Sequence, residues 1–173
     1  MIEPRDATEP AFVGRERELA LLEARLRDAN QGRARFLVLA GEAGIGKTRT
    51  AEELIARAGL PGNRVVWGRA PEQVGAPSYW PWARAIDEYA SAAQAETLRD
   101  ELADDGPVLA HLVPGLRTRL PQIAPVALDG SDVQARFRVL DAVAGFLQRA
   151  TRRAPLIVVL EDCLLYTSPS PRD

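Results

Sequence analysis

Residues 41–48 read Gly-Glu-Ala-Gly-Ile-Gly-Lys-Thr and fit the phosphate-binding pattern G-x-x-x-x-G-K-[ST]. An apolar run at residues 36–40 precedes the pattern, and a helical repeat at residues 47–58 follows it. This strand–loop–helix order is the setting in which the pattern binds phosphate. A chance match has a frequency of roughly one in a few thousand, so a glycine turn without a ligand is the weaker interpretation.

Each residue type in this phosphate loop (residues 41–48) has a chemical reason. Glycines let backbone amides approach phosphate oxygens, and the N-terminus of the following helix attracts anions. Lys47, the single lysine among 22 basic residues, provides a compact ammonium for the β- and γ-phosphates of ATP. The Thr48 hydroxyl is a ligand for Mg²⁺. The predicted ATP-binding residues of the loop are Gly41, Gly44, Ile45, Gly46, Lys47 and Thr48.

A second apolar run, residues 155–160, ends in Glu161 and Asp162. Ligands of open α/β sheets bind at the carboxyl ends of the strands, which is where these acids would lie. One acid would hold Mg²⁺ together with Thr48, and the other would orient or deprotonate a water molecule. The pattern does not decide which acid takes which role. The alternative interpretation is a strand that ends in solvated acids.

The periodicity predicts strands at residues 36–40, 64–68 and 155–160, the first of them buried on both faces of a parallel sheet. Helices are predicted at residues 16–30, 47–58, 79–93, 96–103 and 131–152, with short helical pieces in the proline-rich stretch 106–125. In the last long helix the predicted core-facing stripe is Phe137, Leu140, Ala144 and Leu147. These elements make an α/β fold with a parallel sheet and helices on its faces.

Composition excludes several classes of protein. No apolar run reaches the roughly 18 residues that a membrane helix needs. The net charge of −2 argues against a general nucleic-acid backbone binder, and the single cysteine, Cys163, excludes a disulfide scaffold. We expect a cytoplasmic protein whose residues 1–11 form a flexible leader.

Three short blocks narrow the family: Phe-Val-Gly-Arg-Glu at residues 12–16, Gly-Arg at 68–69 and Tyr-Trp-Pro-Trp at 79–82. With the phosphate loop they resemble the N-terminal ATPase module of STAND-type regulators in the AAA+ superfamily. That group includes LuxR-type transcriptional regulators and cyclase- and kinase-associated ATPases. The resemblance covers residues 12–162 and implies a three-layer α/β/α P-loop NTPase with strand order 5-1-4-3-2.

The resemblance also implies roles for individual residues. It places Phe12, Val13 and Arg15 in a loop that packs on adenine and orders the nucleotide; the alternative is a hydrophobic staple that enters the first helix. The block at residues 79–82 is interpreted as packing rather than ligand contact.

Residues 163–173 resemble the translation of a transposase sequencing adapter, and we expect them to be an artefact tail. In the family pattern the two acids are followed by Leu-His-Trp-Ala-Asp. The run at residues 155–160 with Glu161 and Asp162 is interpreted as the Walker B strand. The expected domain is therefore truncated after it, with a strand missing between the phosphate-loop strand and the Walker B strand. We expect such a fragment to hydrolyse ATP inefficiently and to be poorly soluble on its own.

The function predicted from these features is a Mg²⁺-dependent, slowly hydrolysing ATP switch in a signal-transducing or transcriptional regulator. Its partners would be ATP or ADP, missing C-terminal effector domains that alone contact DNA, and other copies of the ATPase module. One alternative is an origin-recognition-type AAA+ ATPase, which a basic winged-helix domain downstream would indicate. The other is a metabolic P-loop kinase, which would need an acceptor pocket that no motif identifies.

Overall fold

A computed structural model of the chain describes residues 14–58, 64–69, 79–128 and 133–161. The chain divides into two compact units at residues 60 and 61. We call residues 14–58 the N-terminal unit and the other described residues the C-terminal unit. In the part of the chain described, no helix has the length and apolarity needed to cross a membrane.

The N-terminal unit contains two helices, α1 (Glu16–Asn30) and α2 (Lys47–Ala58), which confirms both predicted helices. Acidic residues in the first turn of α1 and Arg27 in its last turn complement the helix dipole. The chain leaves α1 through Gly32, whose φ of 83° suits glycine. Leu19 and Leu22 of α1 are buried, and α1 packs on α2.

The most buried side chains of α2 are polar. Thr50 has no exposed surface and Glu53 is 6% exposed, whereas Leu54 and Ile55 are half-buried. Glu53 accepts a hydrogen bond from Arg57 Nε at 2.7 Å, so the buried carboxylate has a cationic partner. The side of α2 that packs is therefore not selected by hydrophobicity alone.

The prediction of a buried strand at residues 36–40 is wrong. This segment has no regular secondary structure; Phe36 is 88% and Val38 65% exposed. The sheet found among the described residues consists of two later strands. A strand is stabilised by hydrogen bonds to a neighbouring strand and by side-chain cover, and an apolar run supplies neither by itself.

Ion pairs hold the chain just before this segment. Asp28 of α1 lies 2.8 Å from Arg33 and 3.0 Å from Arg35. The hydrogen bond from Arg35, followed by the charge and hydrogen bond of Arg33, lowers the pKa of Asp28 below its usual value. The turn after α1 is thereby ordered, although the apolar run that follows it is exposed.

The C-terminal unit contains a parallel pair of strands, β1 (Arg64–Arg69) and β2 (Leu156–Glu161). Arg64 pairs with Leu156 at one end and Arg69 with Glu161 at the other. Both strands were predicted. In the order 5-1-4-3-2 that the resemblance implies, β1 is strand 2 and β2 is strand 3, so their pairing agrees with that order. The carboxyl ends of the two strands meet at the same edge.

Five helices lie between the two strands in the described parts of residues 79–150. The longer ones confirm the predicted helices, and α5 and α6 confirm the short pieces expected in the proline-rich stretch. A single 3₁₀ turn, Ala103–Asp105, joins α4 to α5. The helices are α3 (Trp80–Ala92), α4 (Ala95–Leu102), α5 (Gly106–Leu112), α6 (Gly115–Arg119) and α7 (Val133–Ala150).

The core of the C-terminal unit joins β1 to these helices. Val66 of β1, Ile86 of α3 and Phe146 of α7 are all at most 5% exposed. Tyr89 and Phe146 meet edge to face with ring centroids 5.2 Å apart, a favourable aromatic geometry. The first turn of α3 lies directly on β1. The contact is so close that a Cβ on Gly68 would overlap the Pro81 carbonyl oxygen. This contact, and the packing of Trp82 against the core, fit the packing interpretation of residues 79–82.

The predicted core-facing stripe of α7 is wrong at three of its four positions. Phe137 and Leu140 are 62% and 48% exposed, and Ala144 is exposed too. The helix instead buries a second apolar set: Ala135, Val139, Ala142, Val143, Phe146 and Ala150. Both sets have helical spacing, so periodicity does not choose between them. Contacts with α4 and α5 set the rotation of the helix.

Several predictions fall outside the described residues. They are the leader at residues 1–11, the helix start at residues 131–132 and the tail at residues 163–173. Three predicted site residues are also outside: Phe12, Val13 and Asp162.

Candidate functional site

The phosphate loop leads into the N-terminus of α2. Residues 41–45 are exposed, and the chain turns at residues 43–44. Gly44 and Gly46 have φ angles of 77° and 91°, in the left-handed region where a side chain is strained. Successive backbone amides in such a turn make a concave anion-binding surface. The spacing of glycines in the sequence thus matches the positions where the backbone requires them.

Lys47 folds over this loop. Its Nζ lies 3.0 Å from the carbonyl oxygens of Gly41 and Glu42. An ammonium held there places a positive charge beside the loop amides. The six predicted loop residues, from Gly41 to Thr48, thus lie in one loop and the helix start that follows it; Gly46 and Lys47 are half-buried and the other four are exposed.

The first turn of α2 adds to the positive potential. The opening amides of a helix have no partner within the helix, and the dipole places partial positive charge there. No acidic side chain occupies this turn, and Thr48 is exposed in it. The hydroxyl of Thr48 is therefore accessible to a ligand at the same end of the helix.

The structure places Arg15 at this loop. Its guanidinium donates to the Ile45 carbonyl oxygen and lies 3.4 Å from the Thr50 hydroxyl. Sequence reasoning connected Arg15 with the nucleotide, but neither the Ile45 carbonyl nor Thr50 was predicted as its partner. The hydroxyl at position 50, on the buried side of α2, was the available clue.

Glu161 ends β2 in the C-terminal unit. Its side chain is 14% exposed, and Oε2 lies 2.7 Å from Nε of Arg69, the last residue of β1. The Arg69 guanidinium also lies over the Trp67 ring at 5.2 Å. Sequence reasoning missed this ion pair. The pair could have been inferred, because two adjacent parallel strands place their last residues side by side.

A buried polar cluster lies elsewhere in the C-terminal unit. Tyr89 donates a hydrogen bond of 2.8 Å to Glu101, which is 2% exposed. Arg64 contacts the Tyr89 hydroxyl, stacks over its ring at 4.5 Å and donates to the Ala150 carbonyl oxygen at 2.8 Å. Burial, followed by the bond to Glu101, raises the pKa of Tyr89 above its usual value.

This cluster is structural rather than a ligand site. The cavity beside it, bounded by Val66, Tyr89 and Phe146 among others, has a volume of about 10 Å³. That volume is at the lower limit for a single water molecule. Among the described residues no group of three or more His, Cys, Asp or Glu side chains is placed to hold a metal ion.

Comparison with known proteins identifies the family. The family model of the AAA ATPase domain matches residues 11–165, which include the phosphate loop and both strands. Comparisons with curated proteins and with solved structures gave no match. The chain therefore belongs to the AAA ATPase domain family and is a P-loop NTPase with a nucleotide-binding ATPase module.

Proposed function

We propose that this chain is the ATP-binding switch module of a signal-transducing or transcriptional regulator. The observation that carries the proposal is the loop itself. Gly44 and Gly46 hold the left-handed conformations of an anion-binding turn, and Lys47 lies over the same turn at the start of α2. Membership of the AAA ATPase domain family supports a nucleotide as the anion.

Within this proposal, the backbone and the side chains of the loop bind different parts of the nucleotide. The amides of residues 44–48 donate to phosphate oxygens, and Lys47 exchanges its two carbonyl partners for the β- and γ-phosphates. Phe12 and Val13 pack on the adenine, as the resemblance implies. A glycine-rich loop that is exposed before binding gives the phosphates direct access to these donors.

The residue types proposed as metal ligands also suit Mg²⁺. The exposed Thr48 hydroxyl and the carboxylates of Glu161 and Asp162 are oxygen ligands of the kind that Mg²⁺ prefers. The ion would supply neutralisation of charge on the phosphates. One carboxylate would hold it, and the other would orient a water molecule. Arg69 holds Glu161 through the ion pair at the strand ends.

The regulatory role rests on the resemblance to STAND-type modules. ATP that binds one arrangement of the protein more tightly than another shifts the population toward that arrangement. We propose that the effector domains lie in a longer natural protein, and that these domains, not this module, contact DNA. Self-association through the module would be part of the same switch.

We also propose that residues 163–173 are not part of the natural protein. Their resemblance to a translated sequencing adapter supports this, and so does the family pattern Leu-His-Trp-Ala-Asp expected after the two acids. Long-read sequencing across the codon for Asp162 tests it. A reading frame that continues into that pattern supports the proposal; a genomic Cys163–Asp173 segment followed by a stop codon refutes it.

The central test is ATP binding by calorimetry with and without Mg²⁺. We expect Lys47→Ala to abolish binding, because an ammonium beside two phosphates is lost from the centre of the site. We expect Glu161→Gln and Asp162→Asn to bind ATP without Mg²⁺, and the variant that lacks the metal ligand to gain no affinity when Mg²⁺ is added.

The outcomes separate the parts of the proposal. Unchanged ATP affinity in Lys47→Ala would refute the nucleotide site. Wild-type dependence on Mg²⁺ in both carboxylate variants would refute the metal role of the acids while leaving the phosphate loop intact. Arg27→Met is the matched control, since it removes one positive charge from an exposed position in the last turn of α1.

A further inference from the structure

Arg15 precedes α1 in a conformation that arginine rarely adopts. Its φ is 61° and its ψ is 25°, and Gly14 before it has a φ of 83°. A residue with a side chain is strained in this left-handed region and stays there only where its surroundings enforce it. Side chains at this helix position usually cap the helix, and Arg15 makes no such cap. The start of α1 therefore does not account for the conformation of Arg15.

The contacts of the Arg15 side chain account for it better. One nitrogen, Nη2, donates to the Ile45 carbonyl oxygen, and the other, Nη1, lies 3.4 Å from Thr50 Oγ1. Thr50 has no exposed surface, and its hydroxyl donates to the Gly46 carbonyl oxygen at 2.8 Å. One planar guanidinium therefore bridges the phosphate loop and the first turns of α2.

The bond to Ile45 has a consequence for the next residue. In a trans peptide the carbonyl of one residue and the N–H of the next point in opposite directions within one plane. A guanidinium that holds the Ile45 carbonyl therefore also fixes the direction of the Gly46 N–H. Gly46 has a φ of 91° and no side chain to restrict rotation of that peptide plane. The bond from Arg15 supplies the restriction that glycine lacks.

We propose that Arg15 is a positioning residue of the phosphate loop, which orients the Gly46 amide toward polyphosphate through the Ile45 carbonyl and Thr50. This differs from the contact with adenine that the resemblance implies for residues 12–15. It rests on the proposed function, because the amide matters only if the loop binds phosphate.

The test compares ATP with inorganic tripolyphosphate, which has the phosphates and lacks the base. Calorimetry with Arg15→Met should show both ligands weakened by the same factor, about tenfold, the worth of one charge-assisted hydrogen bond. Arg15→Lys should recover only part of the affinity, because one ammonium does not reproduce the two-pronged guanidinium contact. Adding Thr50→Val to Arg15→Met should cost little more, since the two residues act together.

Two results would overturn the proposal. Weaker ATP binding with unchanged tripolyphosphate binding would mean that Arg15 acts on the base or the ribose. Full affinity in Arg15→Lys would mean that only its positive charge matters. The control is again Arg27→Met, whose charge is ~18 Å further along α1 and beyond the screening length of ~8 Å.

A structural readout keeps the proposal testable if Arg15→Met weakens the N-terminal unit. In the ¹H–¹⁵N spectrum of the ligand-free chain, we expect the Gly46 amide to shift or broaden while that of Gly32 stays in place. A Gly46 amide identical to wild type in Arg15→Met would refute the positioning role. The proposed function fails separately: the wild-type chain would then bind neither ATP nor tripolyphosphate.

Discussion

Residues 36–40 and strand β2 are two apolar runs with different outcomes. Phe-Leu-Val-Leu-Ala at 36–40 forms no strand, and Phe36 and Val38 are mostly exposed. Leu-Ile-Val-Val-Leu at 156–160 pairs along its whole length with β1, and Leu156, Val158 and Leu160 pack against the core. The two runs have similar composition, so composition does not explain the difference.

The two runs differ in their surroundings: β2 has a strand beside one edge and helical cover on one face. β2 has β1 beside it, and α3 contacts both strands. Among the described residues β1 and β2 pair with each other, and no described strand pairs with residues 36–40. An apolar run can therefore form a strand, but it does so only where a partner strand pairs with it and a helix covers it.

The largest expected effect comes from a matched pair of valines in apolar runs. Val66→Asp in β1 places an unpaired charge at a position that is 5% exposed, and should cost more than about 4 kcal/mol of unfolding free energy. Val38→Asp, at 65% exposed, should change that free energy by no more than about 0.5 kcal/mol. It should also raise solubility, because it interrupts an exposed apolar stretch.

Tryptophan fluorescence during urea unfolding measures the first effect, because all three tryptophans, Trp67, Trp80 and Trp82, belong to the C-terminal unit. Far-UV circular dichroism during urea unfolding, which reports the helices of both units, measures the stability of Val38→Asp, and sedimentation of the expressed chain measures its solubility. A large loss of stability in Val38→Asp would show that residues 36–40 are covered in solution. That result would remove the contrast between the two runs.

A smaller effect tests the contribution of helix α3, which covers β1, rather than that of the partner strand. In Gly68→Ala, the new Cβ would overlap the Pro81 carbonyl oxygen at the start of α3, so strand and helix must separate. We expect a loss of about 1–3 kcal/mol, typical of overpacking. Gly32→Ala is the control for the added methyl group: no atom lies within 4 Å of the new Cβ, although the φ of 83° strains alanine there.

The two glycine variants are compared by the midpoint of urea unfolding, followed by far-UV circular dichroism because the two glycines lie in different units. Gly32→Ala should lose about 1 kcal/mol or less, from backbone strain alone. Equal losses in the two variants would show that α3 does not press on β1. The covering helix would then contribute less to strand formation than its contact suggests.

The smallest effect concerns the polar link between β1 and its helices. Tyr89→Phe leaves the buried Glu101 without its hydroxyl partner and should cost about 1–2 kcal/mol at neutral pH. The folded chain raises the pKa of Tyr89 above the ordinary 10.0, so the tyrosine contributes fully below pH 10 and loses its contribution as the pH rises further.

Unfolding midpoints of wild type and Tyr89→Phe from pH 7 to 11 measure this link. The difference between the two midpoints should become smaller above pH 10, because only the wild type has the Tyr89 hydroxyl proton to lose. Arg64 and Glu101 are the charged groups that face the hydroxyl, and both are present in the two chains. A gap that stays constant to pH 11 would contradict the raised pKa.

Local patterns predicted the element boundaries well and the packing poorly. The limits of α1 and α2 follow from charge distribution, glycine positions and helical spacing, all of which act within a few residues. In α7, two apolar sets share the same spacing, and the set that includes Val139 and Phe146 is buried because α4 and α5 lie on that side. Arg69 and Glu161 are 92 positions apart, and only the register of the strands brings them into contact.

The sequence by itself determined the phosphate loop. Its glycines, lysine and threonine lie within eight consecutive residues, and the helix that follows begins inside the same motif, at Lys47. Tertiary structure alone decided which apolar run became a strand, which face of α7 was buried and where the Arg15 guanidinium lies. Those outcomes depend on hydrogen bonds and cover from distant residues, which local composition does not encode.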